Sequence, residues 1–226
     1  TVTVLHAIPG AVLAKAGIAG GVVDVCANGT ELLNDVAPGA QATVKVPPGT
    51  YTLTVHAGAG GCASPAAITA SATVAAGKNY TAAAYLAITF NGLTPTTAPA
   101  PALKVFDNNI AALPKPKNSK NAQGRVTVRH LAVAPAVDIV VNGAVAAALS
   151  PVNNGEEKQT AVKKGTYQVA AGPTGIATTA IALGPVPLQV RQGWNVIAYA
   201  WGIPTSAGGE GTQVALQYVK LNLPKK

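Results

Sequence analysis

The sequence predicts an all-β protein: two tandem Ig-like antiparallel β-sandwich domains joined by a Pro/Lys linker. Three observations predict this fold, namely strand-like alternation of apolar and polar residues, turns marked by glycine, and an internal repeat. Of 226 residues, 49% are hydrophobic, 11% are charged, 24 are glycine and 17 are proline. This composition is typical of a folded, turn-rich chain, and it excludes intrinsic disorder and collagen.

The internal repeat predicts the domain boundaries. Four segments recur in the same order, and the matching pairs are 2–6 with 126–130, 22–25 with 136–139, 48–53 with 164–169, and 76–80 with 192–196. They predict one sandwich over residues 1–113 and a second over 125–226. Residues 114–124 are predicted to be a linker, because prolines remove strand hydrogen-bond donors and lysines stay solvated.

Strands and turns follow from local patterns within each repeat. Tyr51, Leu53 and Val55 alternate with polar residues, and residues 68–74 alternate in the same way, which predicts two half-buried strands. The dipeptides Asn28-Gly29 and Asn142-Gly143 predict hairpin turns, because both residue types tolerate positive φ. Only residues 11–17 and 144–149 have a pattern that suits short helical turns.

Cysteine usage and the start of the chain predict an extracellular location. The sequence begins at Thr1 without an initiator Met, which suggests a secreted protein whose signal peptide has been removed. Cys26 and Cys62 are predicted to form a disulfide, the alternative being two free thiols. No apolar run reaches the roughly 18 residues that a membrane helix needs, so no transmembrane segment is expected.

The ordered motifs resemble a known family. A strand ending in His6, a Val-Asp strand with an Asn-Gly turn, a Pro-Gly-Thr-Tyr segment at 48–51, and Ala-Gly-Lys-Asn-Tyr at 76–80 are similar to the bacterial secreted domain of unknown function 4397. The resemblance extends over both repeats and implies two tandem copies. It implies an Ig-like sandwich and a secreted or cell-surface address, and it implies no reaction.

One polar pair occurs in both repeats: His6 with Asp24, and His130 with Asp138. We expect each pair to form a buried hydrogen bond that ties two strands together. Metal binding or acid–base chemistry is the alternative, but one histidine and one carboxylate are too few ligands for a closed zinc site. We therefore expect no metal and no cofactor.

Catalysis is not predicted. A glycosidase needs two carboxylates across a cleft, and the two repeats share only one acidic position, Asp24 or Asp138. No serine lies in a Gly-x-Ser-x-Gly turn. A hydrolase with an unrecognised site is kept as the least favoured function.

Trp194 is the one candidate for contact with a ligand or partner. The repeat places it opposite Lys78, a residue type that usually faces solvent, so an exposed ring could stack on a sugar or touch another protein. The alternative is packing against the linker or the other domain. Trp201 aligns with Tyr85 and is predicted to be a buried strand residue.

The predicted function is a non-catalytic, secreted or cell-surface structural or adhesive protein. It could pair with itself through edge strands, for which residues 1–5 and the apolar insertion 11–21 are the candidates. A module that binds extracellular or cell-wall polysaccharide is the alternative. The net charge of +8 lies mainly in the linker and the C-terminal tail without interleaved aromatics, so no nucleic-acid partner is predicted.

Overall fold

The computed structural model describes residues 1–18, 21–58, 60–114, 118–205 and 211–222, and strands dominate it. The first ten strands are β1 (Val2–His6), β2 (Val23–Ala27), β3 (Thr30–Val36), β4 (Gln41–Val44), β5 (Gly49–Ala57), β6 (Ala66–Val74), β7 (Tyr80–Ala87), β8 (Phe90–Asn91), β9 (Thr94–Pro95) and β10 (Ala100–Asp107). Helix α1 (Gly10–Lys15) and a 3₁₀ turn at Gly61–Ala63 lie among them.

The remaining strands follow a 3₁₀ turn at Ser119–Asn121. They are β11 (Gln123–Ala132), β12 (Val137–Val141), β13 (Ala144–Val145), β14 (Glu156–Lys163), β15 (Gly165–Pro173), β16 (Leu183–Val190), β17 (Trp194–Ile203) and β18 (Gly211–Lys220). A further 3₁₀ turn lies at Ala147–Leu149. The two predicted helical segments are therefore one short α-helix at Gly10–Lys15 and this single turn.

The chain forms two compact units. The first consists mainly of Thr1–Ala87 and Pro99–Asn108, and the second of Ile88–Ala98, Asn109–Pro204 and the chain from Gly211 onward. Residues 88–98, which the repeat assigns to the first domain, thus group with the second unit as the small hairpin β8–β9. Part of the predicted linker, residues 115–117, lies outside the described residues.

Each unit is a sandwich of two four-stranded sheets. In the first unit the sheets run β10-β7-β1-β4 and β3-β2-β5-β6, and in the second they run β18-β17-β11-β14 and β13-β12-β15-β16. The two units therefore have the same strand order, and the all-β sandwich prediction is confirmed. One sheet of each unit is not purely antiparallel, because β1 runs parallel to β7 and β11 runs parallel to β17.

The position of β1 corrects one expectation. Residues 1–5 were candidates for pairing with another copy, but β1 lies between β4 and β7 and all five of its residues are buried. Both edges of this strand are already hydrogen-bonded, so it has no edge left to offer. In the insertion that follows, the side chain of Leu13 on α1 is buried. Residues 19 and 20 lie outside the described part of the chain.

Small and branched residues form the two cores. Val2, Ala27, Leu53, Val74 and Ala82 pack between the sheets of the first unit. The second unit uses bulkier side chains at its centre, including those of Ile139, Leu149, Leu188 and Val196. Alternate residues of β5 and β6 face the core, as the period-2 pattern predicts.

Candidate functional site

His6 and Asp24 are both fully buried, but each bonds to backbone rather than to the other. His6 Nε2 lies 3.0 Å from the carbonyl oxygen of Gly21, and Ile8 N–H donates to His6 Nδ1 at 3.4 Å. The two carboxylate oxygens of Asp24 accept the N–H groups of Asp35 and Gly61, each at 2.8 Å. The predicted direct bond between the two side chains is therefore replaced by bonds to four backbone groups.

The second unit repeats this arrangement. His130 Nε2 lies 3.1 Å from the carbonyl oxygen of Ala134 and 3.0 Å from that of Pro135, while Asp138 Oδ2 accepts the N–H of Gly175 at 2.8 Å. In both units the histidine holds the segment that leads into the next strand, and the aspartate holds a loop 37 residues further along. Every residue other than proline has the same backbone N–H and C=O groups, so the sequence does not show which of them accepts or donates a given bond. The pattern therefore identified the buried polar residues but paired them with each other, which was wrong.

Burial keeps both histidines neutral. Desolvation lowers the pKa of His6 and of His130, and in each case the hydrogen bond to a backbone carbonyl offsets this only partly. A carbonyl accepts hydrogen bonds, so Nε2 carries the proton and Nδ1 is left as an acceptor. His130 Nδ1 is buried and has no hydrogen-bond partner among the described residues. These histidines therefore act as structural hydrogen-bond donors.

We expect acid to destabilise the protein through these two residues. The folded-state pKa of each histidine is below the unfolded value of about 6.5, so between these two pKa values the unfolded chain binds more protons than the folded chain. The contribution of these two histidines to stability should be constant above about pH 7 and should fall below about pH 6.5, by up to roughly 1.4 kcal/mol per pH unit for each histidine. Urea unfolding between pH 5 and 8 measures this. His130→Gln should flatten the slope for the second unit, and an unchanged slope would contradict the assignment.

Cys26 and Cys62 form the predicted disulfide. It joins β2 to the 3₁₀ turn Gly61–Ala63, the same turn whose Gly61 N–H bonds to Asp24. The corresponding loop of the second unit has no such bond, and Val140, Ala170 and Ala177 form a small buried apolar cluster there. One structural position is thus held covalently in one unit and by apolar packing in the other.

Trp194 is half-buried, between the two alternatives of an exposed contact and a packed ring. It opens β17, a strand flanked by β11 and β18, and its pairing partner across the sheet is Lys220. Trp201 is buried on the same strand, as predicted. The aligned residue Lys78 is exposed and forms a surface ion pair with Asp107 at 2.7 Å.

A cleft of about 750 Å³ opens in the second unit. The β8–β9 hairpin forms one wall, and segments 135–136, 153–156 and 173–176 form the rest. Leu93 and Ile176 are 67% and 49% exposed in it, and Phe90 is half-buried. Exposed large apolar side chains within a cleft are the feature that marks binding surfaces.

Polar side chains complete the cleft and hold its shape. Asn154 Oδ1 accepts the N–H of Ile88 at 3.1 Å, and Asn154 Nδ2 donates to the carbonyl of Ala132 at 2.7 Å. This one side chain therefore ties the hairpin to β11. Asn153 Nδ2 donates to Glu156 Oε2 at 2.9 Å. Asparagine, glutamate and threonine groups thus line the cleft beside the apolar residues.

The cleft has few charged groups among its lining residues. Glu156 is the one carboxylate among its lining residues, and Asn153 already bonds to it. Within the described residues, no group of three or more His, Cys, Asp or Glu side chains is arranged to hold a metal ion. Sequence reasoning overlooked the cleft because four separate segments build it. The Asn91-Gly92 dipeptide, a hairpin turn signal, was the one local clue to its main wall.

Comparison with known proteins identifies the family. A family model described as "Domain of unknown function (DUF4397)" matches residues 1–140. The chain belongs to the DUF4397 family. The matched residues cover the first unit and end within β12 of the second. No curated protein matches the chain.

One solved structure similar to this DUF4397 protein is a carbohydrate-binding module. It is CBMbc, of family CBM26, from Eubacterium rectale Amy13K in complex with maltoheptaose. The two chains are 11% identical, the alignment covers 98% of this chain and 97% of that one, and the TM-score is 0.26. A TM-score this low carries no inference about the ligand of this DUF4397 protein. No helix among its described residues is long and apolar enough to cross a membrane.

Proposed function

We propose that this DUF4397 protein is a non-catalytic, secreted or cell-surface adhesive protein that holds an extracellular polysaccharide in the cleft of its second unit. The observation that carries the proposal is the pairing of apolar side chains with amide and carboxylate groups in one cleft. Leu93, Ile176 and Phe90 supply the apolar surface, and Asn153 and Glu156 supply hydrogen-bonding groups.

This combination suits a sugar chain. A pyranose ring presents apolar C–H faces and a rim of hydroxyl groups, so it needs both kinds of contact at once. The lining residues include no lysine or arginine and a single carboxylate, which favours an uncharged polymer over an anionic one. The site differs from the one expected at Trp194, whose half-buried ring does not line the cleft.

A binding role agrees better with the cleft than hydrolysis does. Hydrolysis of a glycosidic bond commonly needs two carboxylates placed about 5 to 10 Å apart. Glu156 has no second acid among the lining residues, and its Oε2 accepts hydrogen bonds from Asn153. The disulfide supports an oxidising compartment. The shared strand order and the repeated His and Asp bonds support two tandem copies of the family domain.

Binding measurements with cleft variants test this function. We expect the intact protein to bind at least one member of a panel of soluble α-glucans, β-glucans and mannans by titration calorimetry. Phe90→Ala and Leu93→Ala should each weaken that binding about tenfold, because each removes an apolar contact surface worth about 1.4 kcal/mol. Ile181→Ala, which truncates a similarly exposed apolar residue outside the cleft, is the matched control.

Two results would count against the cleft. Absence of binding to every polysaccharide in the panel would refute the proposal. Binding that survives Phe90→Ala and Leu93→Ala but is lost with Trp194→Ala would move the site to Trp194. Release of reducing sugar by the intact protein would instead favour the hydrolase alternative.

A further inference from the structure

Among the described residues, the first unit has four edge strands, and three of them have features that prevent pairing with another strand. Strand β4 has four residues, and β10 contains Pro101 and Lys104. Strand β3 carries Glu31 and Asp35 and has an irregular register with β2. Short strands, charges, proline and bulges are the features by which proteins keep sheet edges from adding another chain.

The fourth edge strand, β6, lacks all of these features. It runs over nine residues, Ala66–Val74, without a charged residue or a proline. Its register with β5 has one shift, at the end nearest Ala66. Among the described residues, β5 is the strand that β6 pairs with, so the outward N–H and C=O groups of β6 face away from the sheet. This edge can accept another strand.

The second unit closes the equivalent edge. Its counterpart, β16, occupies the same place in the strand order and contains Pro185 and Pro187. Prolines on an edge strand remove the outward donors that a further strand would need. Strand β14 has two glutamates and two lysines, and β18 ends at Lys220 with the Arg191 guanidinium 5.8 Å from the Tyr218 ring. The contrast makes β6 the exposed, uncharged edge on which an interaction can be built.

The sequence of β6 is complementary to itself. Suppose that two copies of β6 run antiparallel with a two-fold axis at Ala70. Ile68 of each copy then faces Ala72 of the other, and Thr69 of each copy faces Ser71 of the other. Core-facing side chains then meet core-facing ones, a large residue meets a small one, and hydroxyl groups pair on the exposed face. No charge is brought against another, because the strand has none.

We propose that β6 is a homodimer interface, in which two copies of the chain pair antiparallel to make a continuous eight-stranded sheet. The contact uses the same strand from both copies, so it is closed and produces dimers rather than filaments. It also replaces the expectation that residues 1–5 pair with another copy. The proposal is independent of polysaccharide binding, because β6 is in the first unit and the cleft is in the second.

Charge variants of the full chain test the interface by sedimentation over about 1 to 500 µM. The double variant Thr69→Lys with Ser71→Lys changes both exposed positions that face each other across the interface. The new lysine at position 69 of each copy then lies opposite the one at position 71 of the other, so two pairs of ammonium groups repel each other. This repulsion should raise the dimer dissociation constant about tenfold or more. The glutamate pair, Thr69→Glu with Ser71→Glu, should do the same. An equimolar mixture of the two variants should recover a dimer, now a heterodimer.

A neighbouring strand provides the matched control. Thr50→Lys with Thr52→Lys puts the same charge on the exposed face of β5, one strand away from the edge. This variant should leave the dissociation constant within about twofold. A wild-type protein that stays monomeric throughout, or a lysine pair on β6 that leaves the constant unchanged, would overturn the proposal. A β6 edge that captures an unrelated peptide while the protein stays monomeric would overturn it as well.

Cross-linking tests the register. With the axis at Ala70, the two copies of this residue lie directly opposite each other, so Ala70→Cys should form an intermolecular disulfide under mild oxidation. The two copies of Ala66 would be about 27 Å apart at a strand rise of about 3.4 Å per residue, so Ala66→Cys should not. Equal cross-linking of the two variants would contradict this arrangement.

Discussion

Reduction of the Cys26–Cys62 disulfide is expected to lower the free energy of unfolding of the first unit by about 4 kcal/mol. The bridge closes a loop with a sequence separation of 36, and a cross-link over that length removes this much conformational freedom from the unfolded chain. Cys26 is also fully buried. The first unit should therefore lose a large part of its stability when the bridge opens.

Hydrogen exchange under native conditions measures the loss in each unit separately. Protection of the β2 and β5 amides should fall after reduction, and so should their protection in the Cys26→Ser, Cys62→Ser double variant. The equivalent strands β12 and β15 serve as an internal control, because apolar contacts of Val140, Ala170 and Ala177 hold their loop. An equal loss of protection in the two units would show that the bridge does not act locally.

Removal of the Asp24 carboxylate is expected to cost about 3 to 5 kcal/mol. Asp24 is fully buried and accepts two backbone N–H groups, those of Asp35 and Gly61. In Asp24→Ala both donors lose their partner, and a hydrogen bond to a charged group contributes about 1.5 to 3 kcal/mol. Asp35 also has a φ of 51°, a conformation that non-glycine residues seldom adopt, so its bond to Asp24 helps to hold that turn.

Denaturant unfolding of two further variants makes this result specific. Asp24→Asn keeps one acceptor oxygen and should cost less than Asp24→Ala. Asp107→Ala removes an exposed carboxylate that pairs with Lys78 at the surface, and it should cost under about 1 kcal/mol. Similar losses for Asp24→Ala and Asp107→Ala would contradict the role given to the buried carboxylate.

The disulfide and Asp24 should be energetically coupled. Both hold the 3₁₀ turn at Gly61–Ala63 against β2, the bridge through Cys62 and the carboxylate through Gly61 N–H. When either the disulfide or the hydrogen bond is lost, the turn can move away from β2. The remaining interaction then contributes less to stability. The combined loss should therefore be smaller than the sum of the single losses, as is common for groups that share a partner.

Much of the fold followed from local sequence features. The alternation in residues 51–56 and 68–74 predicted β5 and β6, and Asn28 and Asn142 both adopt the positive φ that a hairpin turn requires. The repeat predicted two sandwiches, and the motifs predicted the family. These features are readable because strand periodicity and turn geometry depend on residues close together in the chain.

The residues of the candidate site were harder to predict. His6, Asp24, His130 and Asp138 were recognised as buried polar groups, but their partners proved to be backbone atoms. The aspartates bond to loops 37 residues away, and His130 bonds to a segment only five residues away. Trp194 was a candidate either for an exposed contact or for packing against the linker or the other domain, and it is half-buried on a central strand. The cleft brings Phe90, Leu93 and Ile176 together from segments that are more than 80 residues apart in the chain.

By itself the sequence predicted an all-β chain of two sandwiches, from strand periodicity, turn dipeptides and the repeat, and its two cysteines predicted a disulfide. Only the tertiary structure decided that β1 is internal, that β6 is an open edge, and that residues 88–98 complete the second unit. The reason is physical. Strand formation follows from neighbouring side chains, whereas strand order and loop contacts depend on backbone hydrogen bonds between distant segments, and backbone groups are chemically alike along the chain.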